Sequence, residues 1–168
     1  MAMKKVVIFD LDGTLTNSLA SMKLSGDMAM AKFGMGPYTE DQYKVFVGDG
    51  ARVLVERCLI AGGDTELKNL EAAYEEYCKV FEKYCMYKVE PYDGIRELLS
   101  ALKEKEVKIA VLSNKPHERT KDVIKAVFGE GYFDVVQGQQ DDVPRKPSPI
   151  GGFKICLLYT SDAADDLI

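Results

Sequence analysis

Near its start the chain runs Lys4-Lys5-Val6-Val7-Ile8-Phe9-Asp10-Leu11-Asp12-Gly13-Thr14. Val6 to Phe9 is a short, continuous apolar run closed by an acid, the pattern of a buried central strand. Leu11 to Thr14 carries the turn signal expected at a strand's end. From about Ser18 to Tyr87 the pattern becomes helical. One helix is expected over Ser18–Phe33, ended by Gly34, Gly36 and Pro37. Thr39 with Gln42 forms a capping box for a second helix through Val47. Gly50–Ala61 is a third, stopped by Gly62-Gly63. A fourth starts at Asp64 or Thr65. It carries Leu67, Leu70, Tyr74, Tyr77, Phe81 and Tyr84 as a stripe that packs between helices.

Beyond Glu90 the periodicity changes again. Asp93 is a candidate N-cap for a helix bearing Ile95, Leu98, Leu99 and Leu102. Val107–Leu112 reads as a strand ending at Ser113-Asn114, and His117–Phe128 as a helix ended by Gly129. Phe133–Val136 reads as a third strand, and Lys146-Pro147 as a helix start with proline in its first turn. Strands alternating with helices indicate βαβ units and a parallel sheet. The expected architecture is an α/β core, residues 1–16 and 88–155, interrupted by an all-helical insert at 17–87.

Composition sets the outer bounds. The chain has 168 residues, 46% hydrophobic and 29% charged, which is ordinary for a globular domain with a small insertion. Val6–Phe9 is too short for a signal segment or a membrane span. The net charge is -5 with scattered Lys and Arg, so no basic face for nucleic acid is expected. Cys58, Cys78, Cys85 and Cys156 show no zinc-like spacing, and they read as free thiols in a cytoplasmic protein. The single histidine, His117, reads as a helix-surface residue, a weak basis for acid–base chemistry.

Three segments stand at strand ends or loop-to-helix starts: Asp10-x-Asp12-Gly13-Thr14, Ser113-Asn114-Lys115-Pro116 and Lys146-Pro147. Ligands of open parallel sheets bind beyond the carboxyl ends of the strands, so all three can meet in one crevice. They offer two carboxylates, a hydroxyl, an amide and an ammonium, an inventory suited to phosphoryl chemistry with a hard cation. Taken singly, each segment has an ordinary explanation. A calcium loop opening at Asp10 would need Gly at its sixth place and Glu at its twelfth, where Leu15 and Ser21 stand. Ser113-Asn114 alone would be a helix cap, and Lys146 alone a surface lysine. The ordered set is far more specific than any member.

Phe9-Asp10-Leu11-Asp12-Gly13-Thr14-Leu15-Thr16 resembles the first motif of the haloacid dehalogenase (HAD) superfamily. Leu112-Ser113-Asn114-Lys115-Pro116 resembles its second, and Arg145-Lys146-Pro147-Ser148-Pro149 its third. The helical insert looks like the family's type-one cap. Within it, Phe46-Val47-Gly48-Asp49-Gly50-Ala51-Arg52 is similar to phosphoglycolate phosphatase-like members. The resemblance implies a Rossmann-like core and a magnesium-dependent phosphatase acting on a small phosphorylated metabolite. Asp10 would be the nucleophile and Asp12 the general acid and base. Asp10 and the backbone carbonyl of Asp12 would hold Mg2+, with an acid from a fourth motif. Ser113 and the amide of Asn114 would hold phosphoryl oxygens, and Lys146 would neutralise charge on Asp10 and the phosphate. Gly48, Asp49, Gly50 and Arg52 would lie on a specificity loop, where Arg52 can pair with a substrate carboxylate or stand solvated. A sugar phosphomutase of the β-phosphoglucomutase type, a pyrophosphatase and a non-catalytic fragment are the competing readings. A phosphonate hydrolase would need an imine-forming cap lysine, and Lys23, Lys32 and Lys44 show no suggestive context.

The fourth motif, a strand ending in Gly-Asp, has no counterpart. Asp162, Asp165 and Asp166 are acids, but they follow Lys146 too closely for an intervening helix and strand. Cys156 to Asp166 matches a one-frame translation of a transposase sequencing adapter. Residues 156–168 are therefore expected to be a non-native tail on a chain truncated after about Ile155. An unpaired edge on the first strand, weak magnesium binding, little turnover and a tendency to aggregate are the expected consequences. Sequencing the source locus across codon 155 checks this. A gene that itself encodes Cys156–Ile168 and then stops would overturn it.

Overall fold

A computed structural model describes the backbone of residues 5–165 and the side chains of residues 5–159. The elements in order are β1 (Val6–Phe9), β2 (Thr16–Asn17), α1 (Leu19–Ala31), α2 (Glu40–Phe46), α3 (Ala51–Ala61), α4 (Leu70–Tyr84), β3 (Glu90–Pro91), α5 (Ile95–Glu104), β4 (Lys108–Pro116), α6 (His117–Val127), β5 (Val135–Gln139) and α7 (Ile150–Asp165). The fold is α/β, with a parallel Rossmann-like sheet and seven helices among the described residues. Two compact units result, Met1–Leu15 with Pro91–Ile168, and Thr16–Glu90.

The first unit contains a parallel sheet in the order β1-β4-β5. β4 occupies the middle, and Ile109, Ala110 and Val111 are fully buried. β1, read as buried from its apolar run, has here the unpaired edge expected of it in this chain: among the described residues it pairs with β4 alone, and all four of its residues are half-buried. An apolar run does not reveal on how many sides a strand is paired.

β4 also runs past the expected end at Leu112, through Pro116. Its register with β5 is regular from Ala110↔Val135 to Leu112↔Gln137, and resumes at Pro116↔Gln139. Four steps on β4 therefore face two on β5, an irregularity that re-aims side chains, as bulges near functional sites do. β5 begins two residues later than the sequence suggests. Asp134, just before it, is a side-chain anchor instead. Its carboxylate accepts from Ile109 N at 2.9 Å and from Lys108 Nζ at 2.8 Å.

Gly138 lets β5 approach the start of α6. A Cβ there would stand 2.6 Å from His117 Cα and 2.8 Å from Lys115 O. His117 is half-buried in this contact, and its Nδ1 accepts from Gly138 N at 3.2 Å. It is thus a tie between helix and strand, not the surface residue expected. α5 starts from Gly94 in a left-handed conformation rather than from an Asp93 cap, and only Leu99 of its apolar face is fully buried. Lys146-Pro147 starts no helix, since α7 begins at Ile150. The proposed tail falls on α7 up to Asp165, and residues 166–168 lie outside the described residues.

The second unit packs α1 to α4 around Tyr43, Tyr77, Leu54, Val55, Leu59 and Met30. The Thr39–Gln42 capping box is present in both directions at the start of α2. Tyr77 and Phe81 of the α4 stripe are in the core, with Leu67, Leu70 and Tyr74 packed against it. α4 nevertheless starts at Leu70, later than expected. The Asp64 carboxylate accepts from Lys68 N and Asn69 N, holding a turn in which Leu67 has positive φ. Aspartate competes with helical hydrogen bonding in this way. All four cysteines are free. Burial pushes the Cys58 thiol up to about 12.

Burial alone would raise the Asp134 carboxyl, but its bonds to Lys108 and Ile109 outweigh this and hold it below the usual range. A carboxyl depressed in the folded state stabilises above its unfolded pKa, and this stability is lost as pH falls through the folded value. Asp134→Asn should lower unfolding stability by about 1 kcal/mol at neutral pH. The gap from wild type should narrow as pH falls below the ordinary carboxylate range and close only below the depressed folded value, where both chains carry a neutral side chain. Urea denaturation in a series from pH 7 downward measures both.

Candidate active site

The first unit's site grows from the turn after β1. Leu11 and Leu15 are completely buried on either side of Asp12 and pin the turn. Leu15 N donates to Leu11 O at 3.0 Å, which closes it. Gly13 stands at φ 81, a conformation that side chains rarely adopt. Asp10 and Asp12 are held near the surface by these anchors, with side chains 41% and 21% exposed. Asp10 Oδ1 accepts from Leu11 N at 2.7 Å.

The second contribution comes from the irregular end of β4. Ser113 is buried, and its Oγ accepts from Lys115 N at 3.2 Å. That bond leaves the Ser113 hydroxyl proton available to a ligand. Lys115 is also buried, and its Nζ reaches both Asp12 oxygens, at 3.0 and 3.1 Å. The carbonyls of Lys115 and Pro116 both accept from Thr120 Oγ1, at 3.2 and 3.1 Å, which secures the entry to α6.

The third contribution is the loop ahead of α7. Asn114 binds its backbone from both sides. Lys146 N donates to Asn114 Oδ1 at 2.9 Å, and Asn114 Nδ2 donates to Lys146 O at 3.3 Å. The Lys146 side chain then reaches Asp10 Oδ1 at 2.7 Å. Lys146-Pro147 is a cis peptide.

Asp10, Asp12, Ser113, Asn114 and Lys146 are thus brought together, and Lys115 joins them. Lys115 was not singled out from sequence. The available signal was the two-residue period of a strand, which puts position 115 on the same buried side as Ser113. Each carboxylate has one ammonium partner, so the cluster is close to neutral. A phosphate dianion arriving there would bring uncompensated negative charge. Among the described residues no group of three or more His, Cys, Asp or Glu is placed to hold a metal. The oxygens of Asp10 and the Asp12 carbonyl nonetheless suit a hard cation that keeps several waters and phosphate oxygens as ligands. Asp162 and Asp165 lie in α7, and their side chains, like Asp166 as a whole, lie outside what is described.

The candidate specificity residues belong to the second unit. Gly48 and Gly50 have φ of 110 and 92, and Gly50 caps α3. Asp49 pairs with Arg57, whose other nitrogen donates to the carbonyls of Val45 and Phe46 at 3.1 Å. Arg52 forks onto Glu71, stands 3.8 Å from Glu56 and lies over the Tyr74 ring. Its guanidinium therefore already engages carboxylates of its own unit.

Residues 7–159 match the haloacid dehalogenase-like hydrolase family, and the chain belongs to it. Its relatives narrow the class. A phosphoglycolate phosphatase of Aquifex aeolicus (strain VF5) is 34% identical, matching over 98% of this chain and 74% of its own. One of Haemophilus influenzae (strain 86-028NP) is 31% identical over 98% and 80%. The crystal structure of a predicted phosphoglycolate phosphatase from Haemophilus somnus 129PT superposes with a TM-score of 0.82 at 28% identity. It covers 94% of this chain and 72% of that one. The chain is accordingly a phosphatase-type hydrolase of the phosphoglycolate phosphatase-like kind. No helix among the described residues is long and apolar enough to cross a membrane.

Asn114→Ala should release the Lys146 amide. Its hydrogen–deuterium exchange should accelerate by about tenfold, the equivalent of one ordinary hydrogen bond. Unchanged protection at Lys146 would show that another contact holds the loop.

Proposed function

We propose that the chain is a magnesium-dependent phosphatase that hydrolyses a small phosphate monoester, phosphoglycolate-like, through an aspartyl-phosphate on Asp10. The observation that carries this is the pairing of Asp10 Oδ1 with Leu11 N and Lys146 Nζ, both at 2.7 Å. These two donors orient the carboxylate and leave Oδ2 to act on phosphorus.

A divalent cation held by the Asp10 carboxylate and the Asp12 carbonyl would supply the positive charge that lets an anionic nucleophile meet an anionic ester. In the first step an Asp10 oxygen bonds to phosphorus and the ester P–O bond breaks. Asp12, having taken up a proton from solvent as the anionic ester binds, gives it to the leaving alkoxide. In the second step a water oxygen attacks phosphorus and Asp12 takes back a proton. The bond to Asp10 breaks, phosphate departs and the carboxylate is restored. Lys146 neutralises Asp10 and the phosphoryl oxygens through both steps, while the Ser113 hydroxyl and the Asn114 amide bind those oxygens. Arg52, with Gly48, Asp49 and Gly50, is the proposed selector of the substrate's other end. Its hold on Glu71 would have to be exchanged for a substrate carboxylate.

Asp10→Asn should reduce kcat on 2-phosphoglycolate with magnesium by at least about a thousandfold, since the covalent route is lost. Acid quenching of the wild-type chain with labelled ester should trap phosphate on protein, and the variant should trap none. A variant that keeps most of its turnover would exclude Asp10 as nucleophile.

A further inference from the structure

We infer that Lys115 is a positioning residue for Asp12: it fixes the carboxylate's plane and balances the charge that appears there when Asp12 gives its proton to the leaving oxygen. The inference deepens the phosphatase reading above and rests on it.

The geometry sets Lys115 apart from the other lysines in ion pairs. Its side chain is 4% exposed, against 28% for Lys146 and 31% for Lys23. An ammonium is rarely buried to this extent unless it is paired. Its partner is Asp12, and the two Nζ–oxygen distances, 3.0 and 3.1 Å, are nearly equal. One ammonium astride both oxygens restrains rotation of the carboxylate, which a contact to a single oxygen does not.

The backbone beneath Lys115 is held equally firmly. Its N–H donates to Ser113 Oγ, and its carbonyl accepts from Thr120 Oγ1. Lys115 also lies in the stretch where β4 loses register with β5, between Leu112 and Pro116. Within this stretch Asn114 holds the Lys146 loop and Lys115 faces Asp12.

The chemistry gives this contact a purpose. When a proton passes from Asp12 to the alkoxide, the acid becomes a carboxylate in a partly buried place. A fixed ammonium stabilises that product and costs no reorganisation when the proton moves. The same contact holds the carboxylate ready to receive a proton from the attacking water.

This role predicts dependence on the leaving group. An alkoxide needs the proton, whereas p-nitrophenolate leaves without one. Lys115→Met, close in length and uncharged, should lower the single-turnover rate of leaving-group release from 2-phosphoglycolate by about a hundredfold and from p-nitrophenyl phosphate by less than about fivefold. Lys115→Arg should recover part of the loss on the alkyl ester. Equal losses on both esters, or no loss on either, would overturn the inference. Melting temperatures of Lys115→Met, Asp12→Asn and the double variant test the pairing without turnover. Each single variant leaves a charged partner unpaired, so the double should lose less than the sum of the two, and additive losses would refute the pairing. If the wild-type chain hydrolyses neither ester, the phosphatase reading fails and takes the catalytic role with it. The melting comparison still decides whether Lys115 holds Asp12.

Discussion

Two carboxylates leave the end of one strand two residues apart, and each finds an ammonium that the chain supplies much later. Asp12 meets Lys115 from the second parallel strand of the sheet, and Asp10 meets Lys146 from the loop beyond the third. Like charges this close would repel without those partners. The parallel sheet makes the pairing possible, because β1 and β4 both end on the same side. In the stretch where β4 loses register, Lys115 reaches the first strand's turn at Asp12, and Asn114 draws in the third segment by its backbone. The cluster therefore depends on the sheet's direction and on one local irregularity within it.

Much of this was legible from residue order. The strand–turn signature at Val6–Thr14, the Thr39–Gln42 capping box and the Gly62-Gly63 stop all describe local chemistry, and local chemistry is what a sequence displays. The α/β class followed from the change of periodicity after Glu90. The resemblance carried by the three motifs agrees with the family the chain belongs to. What escaped was non-local. Val6–Phe9 carries the same apolar signal at a sheet's edge as at its centre. His117 looked exposed because its partner, Gly138, is a glycine 21 residues away whose only signal is the room it leaves. Lys115 stood within the second segment without a role, since nothing in a linear reading shows that an aspartate 103 positions earlier meets it.

The second unit shows a related economy of charge. Asp27 accepts from Tyr38 N and Tyr43 OH and pairs with Lys23, while Tyr38 OH donates to Cys58 O. Burial, reinforced by Cys58 and Asp27, raises the Tyr43 hydroxyl well above its ordinary range, so it remains a donor. One partly buried carboxylate thus joins α1, the following turn and α2. Lys23 is committed to this network, with its Nζ also donating to Tyr38 O. That commitment weighs against its use as an imine-forming lysine.

Each unit also closes its own ends. Tyr92 N donates to Leu15 O, which joins the first unit across the insertion, while β2 and β3 pair where the insert leaves and returns. The 75 residues from Thr16 to Glu90 thus form a stretch whose two ends are paired by β2 and β3. Lengthening or replacing such a stretch adds little closure entropy to the sheet that carries the chemistry. A change in the length or sequence of that stretch therefore leaves the strand turn and its four paired charges as they are.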